Sequence, residues 1–587
     1  MAAIILRLFY IQVVDGSYKE NADNNTLRYI VQYPARGEVY DRNGMFLVQS
    51  KEAYDLMVTP REVKPFDTVA MAGILGVTVE QVREGMRKAE NYSRRRASVL
   101  FRQIPKEVKL QFEEYGFTGF YTVYRTVRSY PAKMAGNLLG DVGEVNEAII
   151  ERDPYYRVGD YRGVSGMEQS YEAVLRGHKG AKIEMVDVHG ISKGPYANGI
   201  YDTLPIPGLP ITSTIDGRLQ AFAEEMLTGK VGSVMAIEPA TGEILAMASS
   251  PTYDPDELVG RNRGNNYMKL LNERRRPLFN RAVMAGYPPG STFKTINGLI
   301  ALQEGVLVPT QQYSCVGGYP YGRGVKCHDH PSPLDLYGAI KTSCNGYFCY
   351  VFRNIIENNP KYPNIKEGFK AWEDYARSFG FGRSLETDFA GEQIGSIPTV
   401  EYYDKMHNGR WNGLTVISLA IGQGELLCTP MQLANFCATI ANRGYYYTPH
   451  VVKKVGDDPV DARFYEKHYT MVDAKHFDPI VEGMYRAVNH EGGTGYNYKV
   501  PGLDICGKTG TAQNPPYADH STFMCFAPRD NPKIAISVYI ENGGFGATVA
   551  APIASLLTEL YLTGEISRPW LVESVKNRQI AYPYYGR

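Results

Sequence analysis

The 587-residue sequence has no excess charge of either sign: Lys plus Arg and Asp plus Glu both number 63. With no long basic run either, nucleic acid is excluded as the main partner. Two arginine triplets, Arg94 to Arg96 and Arg274 to Arg276, read as solvated surface. Internal repeats and low-complexity tracts are absent, which removes solenoids, propellers and long disordered stretches. Long hydrophobic runs are missing too. Residues 2–14, AAIILRLFYIQVV, are apolar but interrupted by Arg7, and they fall short of the ~20 residues that a spanning helix needs. They also lack the basic n-region and small-residue cleavage site of a signal peptide. The segment reads as a docking helix or as the tail end of a membrane anchor.

What remains is ordinary globular material, 44% hydrophobic and 21% charged, long enough for several domains of ~150 residues each. Residues 27–60 alternate in the manner of strands around a D-R-N-G turn. From Thr68 to Lys88 the pattern turns helical, and GVSGMEQSYEAVLRGHKG (163–180) reads as a turn and then a helix. TLPIPGLP (203–210), with three prolines and a glycine, is the best linker in the chain. Beyond it, ITSTIDGRLQAFAEEML gives a strand and a helix, and GSVMAIEPATGEILAMAS a hairpin around P-A-T-G. The expected architecture is multidomain α+β, with a β-rich first half and a mixed second half.

The chemistry sits in three short stretches. YPPGSTFKTI places Ser291 and Lys294 after a Pro-Pro-Gly break. A serine there is ordinarily an N-cap, but a lysine at i+3 shares its helix face, so the amine could take the hydroxyl proton. KTSCN supplies Ser343 and Asn345 ahead of an apolar run, and GKTGT supplies Lys508, Thr509, Gly510 and Thr511 before strand-like FMCFAP and KIAISVYI. Each motif alone is weak. Together and in this order, S-x-x-K, S-x-N and K-T-G form the set of penicillin-binding proteins and serine β-lactamases. A serine needs a base, and Lys294 serves if burial and neighbouring positive charge lower its pKa. Lys508 supplies such charge and a seat for a substrate carboxylate. Ser343 relays a proton, Asn345 holds a substrate amide, backbone N–H groups of Ser291 and Thr511 bind the oxyanion, and Gly510 admits a substrate backbone to the edge strand.

The chain resembles the class B penicillin-binding proteins, and among them the elongation type. The resemblance runs through RLFYIQVVDGSY, ARGEVYDRNG, GVSGMEQSYE, LRGHKG, VMAIEPATGEILAMAS, RPLFNRAV, YPPGSTFK, IGQGELLCTPMQLA, GKTGTAQ and FAP. It implies the end of a single N-terminal anchor over residues 1–20, a non-catalytic pedestal of the dimerisation type over 21–205, and a transpeptidase domain over 206–587, an antiparallel sheet flanked by helices. It implies a D,D-transpeptidase that cross-links peptidoglycan stem peptides outside the cytoplasmic membrane, needs no cofactor for the chemistry, is acylated by β-lactams, and works beside a SEDS-type (RodA-like) glycosyltransferase. His520 and Phe523 depart from the run that relatives often carry before the same strand. A β-lactamase or sensor would share the motifs, but not the ~200 residues of pedestal ahead of them. A division-type enzyme and an inactive scaffold are further alternatives; the insert YSCVGGYPYGRGVKCHDHPSPLDLYGAI favours the elongation type, and the intact motifs speak against the scaffold.

Eight cysteines in an extracytoplasmic chain first suggest disulfides, with Cys315 and Cys327 closing a short loop. Yet Cys327 opens C-H-D-H, and Cys344 lies within S-x-N. Cys315, Cys327, His330 and Cys344 make a Cys₃His set suited to structural zinc, with His328 as a substitute ligand. Some elongation-type relatives carry zinc beside the active site, and here two of their carboxylate ligands would be replaced by Cys315 and Cys327.

Overall fold

The computed structural model describes residues 27–187 and 192–583. The anchor segment expected over residues 1–20 lies outside them. Among the described residues no helix is long and apolar enough to cross a membrane. Both arginine triplets are exposed.

The first half is organised on the 13-residue strand Phe46–Val58. The D-R-N-G turn forms as read: Asp41 Oδ1 accepts from Asn43 N at 2.9 Å and from Met45 N at 2.7 Å. Such an Asx turn mimics a backbone turn, and it makes Val39–Tyr40 and Phe46–Val58 antiparallel neighbours. Phe46–Val58 also pairs antiparallel with Ser98–Ile104 and with Phe120–Ser129. The helical stretch expected over 68–88 is in fact two helices, Thr68–Leu75 and Val79–Tyr92. Gly76 in the left-handed region ends the first, and a Thr78–Gln81 capping box starts the second. Met71, Leu75 and Val82 from these helices close over Leu56, Leu100 and Phe112 in a small separate core.

Below that core, two of the quoted motifs meet. Arg36 of ARGEVYDRNG donates to Glu168 Oε2 at 2.6 Å and to Glu172 Oε2 at 2.7 Å, both from GMEQSYE. Arg128 Nε donates to Glu168 Oε1 at 2.6 Å. Burial by itself would push the Glu168 carboxyl up, but the charges of Arg128 and Arg36 hold it below the usual range.

TLPIPGLP is not a free linker. Ile206 pairs with His178 and Thr203 with Ala181, and Leu209 N donates to Val174 O at 3.1 Å. A Cβ on Gly208 would stand 1.9 Å from Leu175 O, so only glycine fits this contact. The chain then enters Ile211–Ser213, which runs parallel to Val39–Tyr40 and antiparallel to Val452–Val455. One seven-stranded sheet therefore includes strands from both halves of the sequence.

The second half carries a five-stranded antiparallel sheet in the order Ile244–Ser250, Gly232–Ile237, Ile534–Ile540, His520–Ala527, Cys506–Ala512. The hairpin around P-A-T-G is its first pair. Helices Gly217–Leu227 and Ala550–Thr563 pack on one face. Pro430–Ala441 covers the other, together with a helical layer centred on Lys294–Gln303. Ile534–Ile540 is buried at every residue and His520–Ala527 at every residue but the first, which is why these strands read as continuous apolar runs rather than alternating ones. The K-T-G strand, Cys506–Ala512, lies at the sheet's edge. The expected α+β layout of pedestal and helix-flanked antiparallel sheet is the one observed.

Candidate active site

Ser291 sits in a single 3₁₀ turn, Gly290–Phe293, that leads into helix Lys294–Gln303. The N-cap of this turn is Pro289 and that of the helix is Phe293, so the ordinary N-cap reading of Ser291 does not hold. The turn is clamped from both sides: Gly290 N donates to Gly422 O at 2.9 Å, and a Cβ on Gly290, whose φ is +57, would stand 2.7 Å from Thr511 O. Ser291 is thereby brought against the K-T-G strand at the wall of a cleft of about 420 Å³. Ser343, Asn345, Thr509 and Thr511 line the same cleft.

Lys294 is fully buried and reaches Ser343 O and Asn345 Oδ1, each at 2.6 Å, and Ser343 Oγ at 3.3 Å. Burial lowers its pKa to about 8, against an opposing pull from the Cys327 and Cys344 thiols. Lys508, equally buried, donates to Ser343 Oγ at 2.7 Å and to Thr509 O at 2.8 Å. Burial and then the Lys294 charge push it well below the usual lysine range. The neighbouring positive charge expected to act on Lys294 is thus felt chiefly at Lys508. Ser343 is left at φ 59, in the left-handed region, where the helix Leu336–Thr342 ends. A non-glycine residue held there stores of order 1–3 kcal/mol and marks a position fixed by its surroundings.

Two residues do something other than expected. Both ends of the Asn345 amide are engaged, Oδ1 by Lys294 and Nδ2 by Lys326 O at 2.6 Å. It orients Lys294 first, and a substrate amide must share its remaining capacity. At Gly510, a Cβ would stand 2.4 Å from the Thr522 methyl and 3.1 Å from Pro289 O. The bare Cα therefore admits the Ser291-bearing turn, while Thr509, Thr511 and Gln513, at period two, face the cleft.

Sequence reasoning missed Gln423, Thr494, Lys326, Asp519 and Phe545, which also line the cleft. Gln423 lies in the quoted IGQGELL and donates to Thr511 O at 3.1 Å. Thr494 accepts from Thr509 Oγ1 at 2.8 Å. Asp519 and Phe545 stand on loops with no pattern to announce them, and Lys326 ends the two-residue strand Val325–Lys326.

At the cleft wall, which Cys327 helps to line, Cys315, Cys327, His330 and Cys344 bring their ligand atoms within 4.8 Å of one another. Cys327 Sγ lies 3.3 Å from His330 Nε2 and accepts from Asn345 N at 3.2 Å. His330 Nδ1 is 2.7 Å from Pro331 O, which fixes the ring with Nε2 toward the sulfurs. A hydrogen bond with Cys344, then the nearby imidazoles and the Asn345 N–H, favours the thiolate of Cys327. All eight cysteines are free. His328 faces the cleft rather than joining the four. Three thiol sulfurs and one imidazole nitrogen thus converge, the donor set of a Cys₃His site.

The penicillin binding protein transpeptidase domain model matches residues 232–559, and the penicillin-binding protein dimerisation domain model matches 31–212. Peptidoglycan D,D-transpeptidase MrdA of Acinetobacter baumannii is 30% identical over 96% of this chain and 86% of its own. A ligand complex of Pseudomonas aeruginosa PBP2 is 27% identical, with TM-score 0.69 over 92% of this chain and 99% of that one. A chain from a peptidoglycan synthase complex, solved for the coordination of polymerization and crosslinking, is 26% identical, with TM-score 0.72 over 96% of both.

Proposed function

The chain belongs to the penicillin-binding protein transpeptidase family, and on that footing we propose that it is an elongation-type peptidoglycan D,D-transpeptidase acting through an acyl-serine on Ser291. The observation that carries the assignment is the Ser343 hydroxyl held between Lys294 and Lys508 beside the Ser291 turn. With a pKa near 8, roughly a tenth of Lys294 is neutral at pH 7 and can act as base. Ser291 Oγ attacks the carbonyl of the penultimate D-alanine of a stem pentapeptide and gives up its proton to Lys294. The C–N bond breaks, the proton passes through Ser343 to the leaving amine, and D-alanine departs. An amine from a second stem then attacks the ester and Ser291 regains its proton. Thr509 and Thr494, with Lys508 behind them, seat the terminal carboxylate, and the N–H groups of Ser291 and Thr511 take the oxyanion. β-Lactams enter the first half of this sequence and stop there.

The same reading assigns residues 21–205 to a non-catalytic pedestal that engages a RodA-like glycosyltransferase and other elongation proteins, in keeping with the synthase complex to which the chain is similar. The catalytic half then lies outside the cytoplasmic membrane, held by an anchor at the N-terminus. Cys315, Cys327, His330 and Cys344 would hold a structural zinc, which when bound pins the loop beside Ser343 and Asn345. Mass spectrometry of the intact chain after penicillin tests the assignment. The wild type gains one stable adduct, and the same adduct on Ser291→Ala would refute it.

A further inference from the structure

A second cavity, of about 270 Å³, shares no residue with the catalytic cleft. It lies where the pedestal meets residues 258–264 of the catalytic half. Tyr130 N donates to Asp256 Oδ1 at 3.0 Å, which seats that segment against the end of strand Phe120–Ser129. Seven of the lining residues are arginine or lysine, and only Glu144 and Asp160 are acidic. Both acids are already engaged. Glu144 pairs with Arg102 at 2.9 Å, and Asp160 accepts from Tyr33 Oη at 3.0 Å, from Arg157 N at 2.7 Å and from Lys179 Nζ. The carboxylates that hold the lining arginines, among them Asp55, Asp141 and Glu168, do not line the cavity.

These arginines each spend one edge on the protein and keep another. Arg125 Cζ lies 3.5 Å from the centre of the Tyr33 ring, with Nε on Asp55 and Nη2 on Gly159 O. Arg176 Cζ lies 3.8 Å from the centre of the Tyr155 ring, with Nη1 on Asp153 and Tyr156. Such stacking fixes the plane of a guanidinium. From the catalytic half, Arg263 gives Nη2 to Asp141, and Arg261 gives Nη1 to Leu75 O at 3.1 Å. Arg125 Nη1, Arg176 Nη2, Arg261 Nη2 and Arg263 Nη1 therefore have no partner among the described residues. Arg128, 5% exposed, also keeps one unpartnered nitrogen, Nη2, and adds to the positive field. A carboxylate offers two oxygens in one plane and is satisfied by one or two guanidinium edges. Edges offered by a strand, a helix end and the catalytic half suit a group with oxygens on every side. We propose that this cavity binds a phosphate-class oxyanion, which bridges the pedestal and the catalytic half.

Titration calorimetry of the full chain with inorganic pyrophosphate should find one site, and saturation should raise the unfolding midpoint. Arg261 is exposed and has no carboxylate partner among the described residues, so Arg261→Gln strands no buried charge. It should weaken binding about tenfold, the scale of one charge-assisted hydrogen bond, and Arg261→Lys should recover part of the loss. Arg94→Gln, in an exposed triplet, should change nothing. Phosphatidylcholine vesicles carrying phosphatidic acid identify the source. Displacement of pyrophosphate assigns the site to a lipid headgroup, retention assigns it to a soluble phosphate, and both results uphold the phosphate class. Absence of saturable binding overturns the proposal, as does an Arg261→Gln affinity equal to that of wild type. So does equal weakening by Arg94→Gln, or malonate bound as tightly as pyrophosphate.

Discussion

Ser343 Oγ accepts a 2.7 Å hydrogen bond from Lys508 Nζ, and the same oxygen lies 3.3 Å from Lys294 Nζ. One hydroxyl thus links two buried amines. Removing it leaves both amines in place but breaks the path between them. Ser343→Ala should slow penicillin acylation by about 10²- to 10⁴-fold, the usual range for a lost proton-transfer group. The rate constant with a fluorescent penicillin measures this, and a rate within threefold of wild type would contradict the relay.

The Lys294 value sets a pH profile. Because burial depresses its pKa to about 8, the neutral, basic form grows as pH rises to that point. Acylation should climb about tenfold per pH unit below 8 and level off above it. Asn345→Asp adds a negative charge against Nζ and should move the plateau to higher pH. Stopped-flow acylation between pH 6 and 9.5 reads both effects.

In the pedestal, Glu168 is 1% exposed and receives both Arg36 and Arg128. Losing one partner strands a buried charge, at a cost of about 3–5 kcal/mol. Glu168→Ala should lower the pedestal's unfolding midpoint accordingly, with Ser291 acylation at low temperature far less affected. Since the folded carboxyl is held below its usual pKa, the stabilisation is present above the unfolded value and fades as pH falls through the folded one. The difference in urea midpoint between wild type and variant should therefore hold at pH 7, begin to shrink below about 4.5 and close only as pH falls through the folded value.

Metal analysis of protein purified without chelator should find one zinc per chain. Chelation should lower both thermal stability and acylation rate, since Cys327 Sγ accepts from Asn345 N, the backbone of the residue that orients Lys294. A metal-free preparation with a Cys315–Cys327 bridge in a non-reducing peptide map would refute the site.

The three motifs were legible because each is local: a turn before a helix, a helix end, an edge strand. So were the hairpin at residues 232–249 and the Cys₃His set, whose members announce themselves by type. The sequence offered no way to see that Asn345 would be bound at both ends, since its partners Lys294 and Lys326 come from distant segments. The break at Gly76 was legible in principle, but helical periodicity on both sides hid it. TLPIPGLP misled for a different reason. Proline and glycine mark an irregular backbone, yet here the irregular path is pressed against residues 174–181, and only tertiary contact reveals that.

Ile211–Ser213 is only three residues long, yet it stands between Val39–Tyr40 and Val452–Val455. A polypeptide cut after Ser213 would leave Ile211–Ser213 and Val452–Val455 each with a bare row of N–H and C=O groups. Bare edges of this kind recruit other chains, so either half produced alone is prone to stick to its neighbours. In the intact molecule the same strand acts as a rivet. A force on the pedestal therefore reaches the catalytic half through a hydrogen-bonded ladder rather than as slack taken up in a tether.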